Sequence, residues 1–597
     1  MVAFRPEQPH VPAAELAPST WLGNSNSLEL QPHDEALILQ LEAMNEQKKR
    51  YHSIETGLYF NTPELAGLVR KQYDTDSLAQ LEEHLMSCGT LQLPVIEGHT
   101  VTVDGIDHKV TLLAATETDA DGVNHGDMSA MIYLRDQIQA ASAMMKLYLL
   151  DQARYNEQGS LGKKLLISSL HLLSTPDQLQ RFKNVIALGQ KAGQADWPHI
   201  SLPFSDLEAR RPNGWRNKQD TVQMLAYTTL EAIEQGFISE DDLAAAHKQM
   251  LGAIVPFLTA VGFPRYENSG SWEEVTAVRT SVMAIETALL DKLQTLAQTP
   301  GLEFLETGYN QAGPQLKMGR NFPQAVAAMV MNGLTELGRR LPFESPEYPQ
   351  GSVKYREADA ALAYVLRYNV PQLLAQHNIP MAHGQGQPMT VHAIEAMVLE
   401  RILKLQDPKT RGIMRYEGDS YQRTNFHTNA VRALIEAIKR KVKAEAVVSG
   451  GEIDLDEKQR LRNTLTPQGQ SPAWTHPLSQ TASPIASRCI EEYQAGNSTA
   501  GESYEAISTC LLNDALTTIT GENDWNAALD KSGSYRLKPV PQHKLPECHI
   551  TYAINEKTFT VPSPHTPLNW STALLWETIG TIAASIAMQK GADHVKL

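Results

Sequence analysis

Cysteine is scarce in this chain: Cys88, Cys489, Cys510 and Cys548 are the only four in 597 residues, and none forms a Cys-x-x-Cys pair. Such spacing makes neither a disulfide framework nor a zinc pattern, and it suits a reducing compartment. Long apolar runs are lacking too. No window approaches the ~18 uninterrupted apolar residues of a spanning helix, so none is expected. Residues 1–23 carry Pro, Glu, Gln and His where a signal peptide has an apolar core. The expected location is the cytoplasm, with signal-independent export left open. Positive charge is short: 52 Lys and Arg face 68 Asp and Glu, a net charge of −16 with no basic tail to offset it. That excludes nucleic acid and anionic membranes as main partners. No Gly-rich loop follows a strand, so nucleotide chemistry has no support. The histidines show no His-x-x-x-His or His-Glu spacing, and His125, His427, His476 and His565 read as caps or polar pocket wall. No metal or cofactor is expected, and the oligomeric state is open.

What the chain does have is a hydrophobic content of 42%, enough for a large core. Its length fits several ordinary domains or one large helical barrel with appendages. Apolar residues at three- and four-residue steps predict helices over 33–50, 62–88, from about 127, and over 160–193, 217–235, 240–259, 271–297, 320–341, 356–377, 390–406, 422–446, 476–495, 503–518 and 567–590. Alternating residues around Asp104-Gly105 predict a hairpin within 92–116, and a second hairpin is expected over 549–561. Thr566-Pro567 has the form of a cap and first helical position. Helix patterning alone does not separate a stacked bundle from a closed double ring.

Candidate chemistry lies in polar and aromatic clusters at helix starts. The most informative is Ser271-Trp272-Glu273-Glu274, placed by the pattern at the start of the 271–297 helix. Ser271 and Glu274 fit a capping box, which gives Glu274 a structural explanation. Glu273 has none. A tryptophan beside a carboxylate can stack a sugar ring and protonate a glycosidic oxygen. A Glu in a first helical turn is also favoured by the dipole alone.

Taken in order, the clusters resemble the glucoamylases of glycoside hydrolase family 15, and the related glucoamylase-like domain of phosphorylase kinase regulatory subunits. Ile132-Tyr133-Leu134-Arg135-Asp136 is similar to that family's aromatic-x-Arg-Asp, where Arg and Asp hold the terminal glucose. Trp215 to Asp220 resembles its Trp…Asp subsite loop, and Trp272-Glu273-Glu274 its Trp-Glu-Glu. Arg415-Tyr416-Glu417-Gly418-Asp419-Ser420-Tyr421 is similar to Arg-Tyr-x-x-Asp-x-Tyr. Leu545-Pro546-Glu547, with Pro567 to Ser571, resembles the segment of the catalytic base and last barrel helix. The resemblance spans about 120–597 and implies an all-α (α/α)6 barrel with short β-hairpins. On this reading, residues 1–120 are a helical extension with a hairpin and 121–597 the catalytic barrel. Gly270-Ser271 replaces the family's usual Asp-Leu, and Leu-Pro-Glu is nearer the phosphorylase kinase form.

The resemblance implies exo-acting, inverting hydrolysis of an α-glucan or α-glucoside, releasing glucose from the non-reducing end. Glu273 would be the general acid and Glu547 the general base, with a water between carboxyls ~6.5–9.5 Å apart. Arg135, Asp136, Trp215, Asp220, Trp272, Glu274, Arg415 and Tyr416 would bind the sugar. Each has a plainer reading: Arg135-Asp136 as an exposed pair, Trp215 closing a loop, Arg415-Tyr416 as a loop anchor, Asp419 as a cap. The alternative function is a catalytically silent sugar-sensing module on the same scaffold.

Overall fold

The computed structural model describes residues 32–116, 131–208, 219–273, 275–316, 321–419, 421, 471–529, 535–554 and 557–595. Trp215, Glu274 and the predicted helix at 422–446 lie outside them.

Among the described residues, a closed inner ring of helices forms the centre. Leu134–Leu150, Gln219–Glu234, Thr280–Leu296, Ala363–Arg367, His476–Gln494 and Asn569–Val595 each pack on the next, and the last returns to the first. An outer layer covers them. Asn156–Leu173 lies on the first ring helix, Phe322–Arg340 on the third, Val391–Leu403 on the fourth and Ser498–Thr517 on the fifth. Thr75–Ser87, from the N-terminal region, packs on the sixth. This is an (α/α)6 barrel, the closed alternative of the two that periodicity leaves open.

The ring helices are inner because they are buried all round rather than along one stripe. Every residue from Leu134 to Met145 is buried, as is every residue from Thr280 to Leu290. The sixth, over Asn569–Lys590, is apolar and long enough to cross a membrane by length and composition. Its burial inside the ring, 78% of the window, accounts for that composition.

Buried charge holds the ring from within. Arg367 of the fourth helix donates to both oxygens of Glu577 on the sixth, at 3.0 and 2.9 Å, and Ser483 of the fifth donates to Glu577 at 2.6 Å. Lys146 of the first helix lies 3.4 Å from the same carboxylate.

Both hairpins are present. Val95–Val103 pairs with Ile106–Leu113 across Asp104 and Gly105, whose φ of 52° and 74° fit the two-residue turn that Asp-Gly favours. Cys548–Ile554 pairs with Lys557–Pro562, and the sheet continues through Ala473–Trp474 to Ile413–Met414. Adjacent positions on these strands bring Arg415, Trp474 and Glu547 to one place from three distant parts of the sequence.

Several expected boundaries move. The 62–88 helix is two, Pro63–Leu68 and Thr75–Ser87, because Val69 is extended and Asp74 with Ser77 opens the second as a capping box. The 160–193 helix breaks at Thr175-Pro176, where a new helix begins. The 240–259 helix likewise divides into Ala245–Gly252 and Ile254–Val261. The helix expected from about 127 begins at Leu134, since Met131–Tyr133 is a strand paired with Ser201–Pro203. The last helix starts at Asn569 rather than Pro567. The largest shift is at 271–297: the helix begins at Thr280, and Arg279 stands at its cap position. Ser271, Trp272 and Glu273 are in a loop, so neither a capping box nor a helix dipole explains the carboxylate.

Candidate active site

That loop is pinched at its base by paired backbone bonds of 2.9 Å between Asn268 and Ala277. Within it, the Asn268 side chain accepts from the Gly270 amide at 3.0 Å, and the Glu273 amide donates to the Gly270 carbonyl at 3.2 Å. Gly270 and Glu273 both have left-handed φ, 63° and 57°. Glycine takes this at no steric cost. A glutamate there is strained by ~1 kcal/mol or more, which only a surrounding structure that fixes it can sustain.

What fixes it is a set of contacts that passes round one end of the ring, from the start of one inner helix to the next. Arg135, second residue of the first helix, donates to both oxygens of Asp220 at 2.9 and 3.1 Å, and to Glu273 at 3.0 Å. Asp220 is the second residue of the second helix and wholly buried. Ser271 reaches it at 3.4 Å. The Trp272 indole N–H donates to Asp359 at 2.6 Å, ahead of the fourth helix, and Arg356 pairs with Asp359 at 3.2 Å. The Trp272 ring lies 5.7 Å from Trp474 and 5.8 Å from His476, which opens the fifth helix. His476 stacks at 4.1 Å on Trp570, second residue of the sixth. The contacts thus run from the start of the first helix to that of the sixth.

Arg415 sits among the aromatics. Its guanidinium carbon is 4.7 Å from the Tyr421 ring, 5.0 Å from Trp474 and 5.5 Å from Trp272, while its fork grips Asp419 at 2.7 and 2.6 Å. Asp419 also accepts from the Tyr421 amide at 2.9 Å, so this pair shapes the 415–421 loop. Tyr416 has two guanidinium groups near its ring, Arg356 at 3.1 Å from its centroid and Arg415 at 5.7 Å. Tyr421 donates to Glu547 at 2.8 Å, and Ser563 donates to its other oxygen at 3.1 Å. Two hydroxyl donors on two oxygens solvate an ionised carboxylate inside a protein. Glu547 is buried, and its amide bonds to the His565 carbonyl at 3.0 Å across the connection to the last helix.

The structure thus brings Arg135, Asp220, Trp272, Glu273, Arg415, Tyr416 and Glu547 into one network at the mouth of the ring. Asp136 is buried beside Arg135, which rules out the exposed-pair reading for both. Among the described residues, this end carries buried polar atoms without hydrogen-bond partners: both His476 nitrogens, the Trp474 and Trp570 indole nitrogens and the Ser571 hydroxyl. Unpartnered buried donors and acceptors cost ~1–3 kcal/mol each, so this cluster detracts from stability. Burial, aided by Arg415 and Arg135, holds the His476 imidazole down at about 3, so at neutral pH it offers one donor and one acceptor.

No family model and no curated protein matches this chain. Among solved structures it is similar to a glycosidase variant in complex with glucose (12% identity, covering 86% of this chain and 99% of that one, TM-score 0.45). It is similar also to the glucoamylase of Hormoconis resinae (10% identity, 86% and 74%, TM-score 0.44) and that of Saccharomycopsis fibuligera (13%, 88% and 97%, TM-score 0.43). No side chain of this site is assigned by them.

Sequence reasoning missed Asp359, Arg356 and Trp474. Asp359 falls inside the helix expected over 356–377, which the structure replaces by Ala363–Arg367 and Val370–Gln376, and its role rests on one bond to Trp272. Near it, burial raises both Glu344 and Asp359; the Asp359 charge raises Glu344 further, while Arg356 opposes the rise at Asp359 and Arg279 opposes it at both. Trp474 begins a Trp-Thr-His run just before a predicted helix, the same signal that singled out Trp272, and could have been read the same way.

Proposed function

We propose that this chain is a glycoside hydrolase that releases glucose from α-glucosides with inversion, Glu273 acting as general acid and Glu547 as general base. What supports this reading is the contact path Glu547–Tyr421–Trp474–Trp272, which ends at the neighbour of Glu273. It joins two carboxylates, remote in sequence, across an aromatic and cationic mouth. Glu547, with a hydroxyl donor on each oxygen, suits the ionised base that draws a proton from water. The Arg135 ion pair favours the charged form of Glu273, so its role as acid requires that pair to open when sugar binds.

Arg135 has two tasks in this scheme. Without sugar it donates to Glu273; a bound sugar hydroxyl would take over that donor and free Glu273 to face the glycosidic oxygen. Catalytic contacts often form fully only in the complex. Asp220 keeps Arg135 in place throughout through the two-point ion pair. Trp272, Trp474 and Tyr421 offer flat apolar faces to the sugar, and Asp136 and Arg415 bind at its rim.

The test is incubation of the purified protein with maltose, isomaltose, trehalose and glycogen, with free glucose measured. Release from at least one is expected. No glucose from any of them, with sugar binding retained, would favour the silent sensing module.

A further inference from the structure

Away from the ring mouth, the fold brings His84, Cys88 and His543 together, and we propose that they form a zinc-binding site that ties the loop carrying Glu547 to the N-terminal helix. One ligand atom from each residue lies within 4.8 Å of the others. Tetrahedral zinc with two nitrogens and one sulfur sets those atoms about 3.5 Å apart. Binding would draw the three ligand atoms closer together. His84 and Cys88 are one turn apart at the end of helix Thr75–Ser87, so both face the same way. His543 comes from the opposite end of the chain, and its ring meets that of His84 edge-on at 6.1 Å.

Two further observations point to a ligand. His84 Nε2 and His543 Nδ1 are both shielded from water and without a hydrogen-bond partner among the described residues. A cation between them satisfies both. His543 is also held in left-handed backbone, φ 57°, by a lattice of bonds that aims it at the helix. Thr90 donates to the His543 carbonyl at 2.7 Å, Lys544 to the Gly89 carbonyl at 3.0 Å, and the His543 amide to Thr520 at 2.9 Å.

The competing account of Cys88 is a neutral thiol, with its sulfur 3.3 Å from the Thr90 hydroxyl and 3.7 Å from the Leu85 carbonyl. Zinc replaces the thiol proton, so each ion bound releases one proton to solvent, and water completes the fourth position. Two imidazoles and one thiolate are a zinc donor set, whereas calcium and magnesium take oxygen. The site lies four residues before Glu547, so the ion would pin the root of that loop.

The experiment uses the full chain stripped by a chelator and titrated with Co2+ as a spectroscopic stand-in. One equivalent should bind with a thiolate-to-cobalt charge-transfer band in the near ultraviolet, and Zn2+ should displace it. Cys88→Ser should abolish the band. His543→Asn, whose side chain tolerates left-handed backbone, should weaken binding at least ~100-fold, more than loss of an outer-shell partner usually does. Should wild-type protein bind cobalt without that band, or should Cys88→Ser and His543→Asn bind as it does, the proposal is overturned. Wild-type spectra decide the matter even if a variant fails to fold.

Discussion

Glu273→Gln is expected to lower kcat on a natural α-glucoside by roughly 10²–10⁴-fold, the usual worth of a positioned general acid, with little change in KM. Glutamine keeps an oxygen for Arg135, 3.0 Å from the native carboxylate, so the loop should hold its shape. The loss should depend on the leaving group. A nitrophenolate departs without a proton, so nitrophenyl α-glucoside should be hydrolysed with a far smaller deficit. Glu547→Gln should lose activity on both substrates alike, because water still needs a base whatever leaves. Equal losses for Glu273→Gln on the two substrates would remove it from the acid's role, and unaltered activity in either variant would remove that residue from the reaction.

The second large effect concerns stability. Glu577→Gln is expected to cost about 3–5 kcal/mol, because it leaves the Arg367 guanidinium buried without its counter-charge. Lys146 loses its counter-charge and one Arg367 nitrogen its acceptor in the same change, so the damage reaches the first, fourth and sixth ring helices. The pH dependence has a definite sign. Arg367 and Lys146 together overcome burial and hold Glu577 down at about 2, below the ordinary carboxylate value. A depressed acid contributes stability that is present above its unfolded value, ~4.5, and is lost as pH falls towards 2. Chemical denaturation of wild type should therefore weaken through that window, and the variant should show less of this loss. A variant within 1 kcal/mol of wild type at pH 7 would mean that the ion pair contributes little to the ring.

Much of the ring was legible in the sequence because its helices are long and their apolar steps regular. Boundaries failed where local rules overrode periodicity. Thr175-Pro176 and Asp74 with Ser77 cut long patterns in two, and Val275 and Val278 continued a helical stripe through residues that are loop. That last error misplaced Glu273 on a helix, although the motif still marked it. Candidate residues carrying an ordered motif could be named from the sequence; those joined to them only by long-range contact could not. Asp359 matters because Trp272 reaches it, and His84 meets His543 only once the chain ends are packed together. Spacing along the chain holds no trace of either.

The most direct measurement follows the anomeric form of newly released glucose by proton NMR during hydrolysis of an α-glucoside, before mutarotation. Water delivered by Glu547 to the face opposite the bond protonated by Glu273 gives β-glucose first, with the α form rising only later. Initial appearance of α-glucose would mean retention through a covalent intermediate, and would contradict the roles given to these two carboxylates.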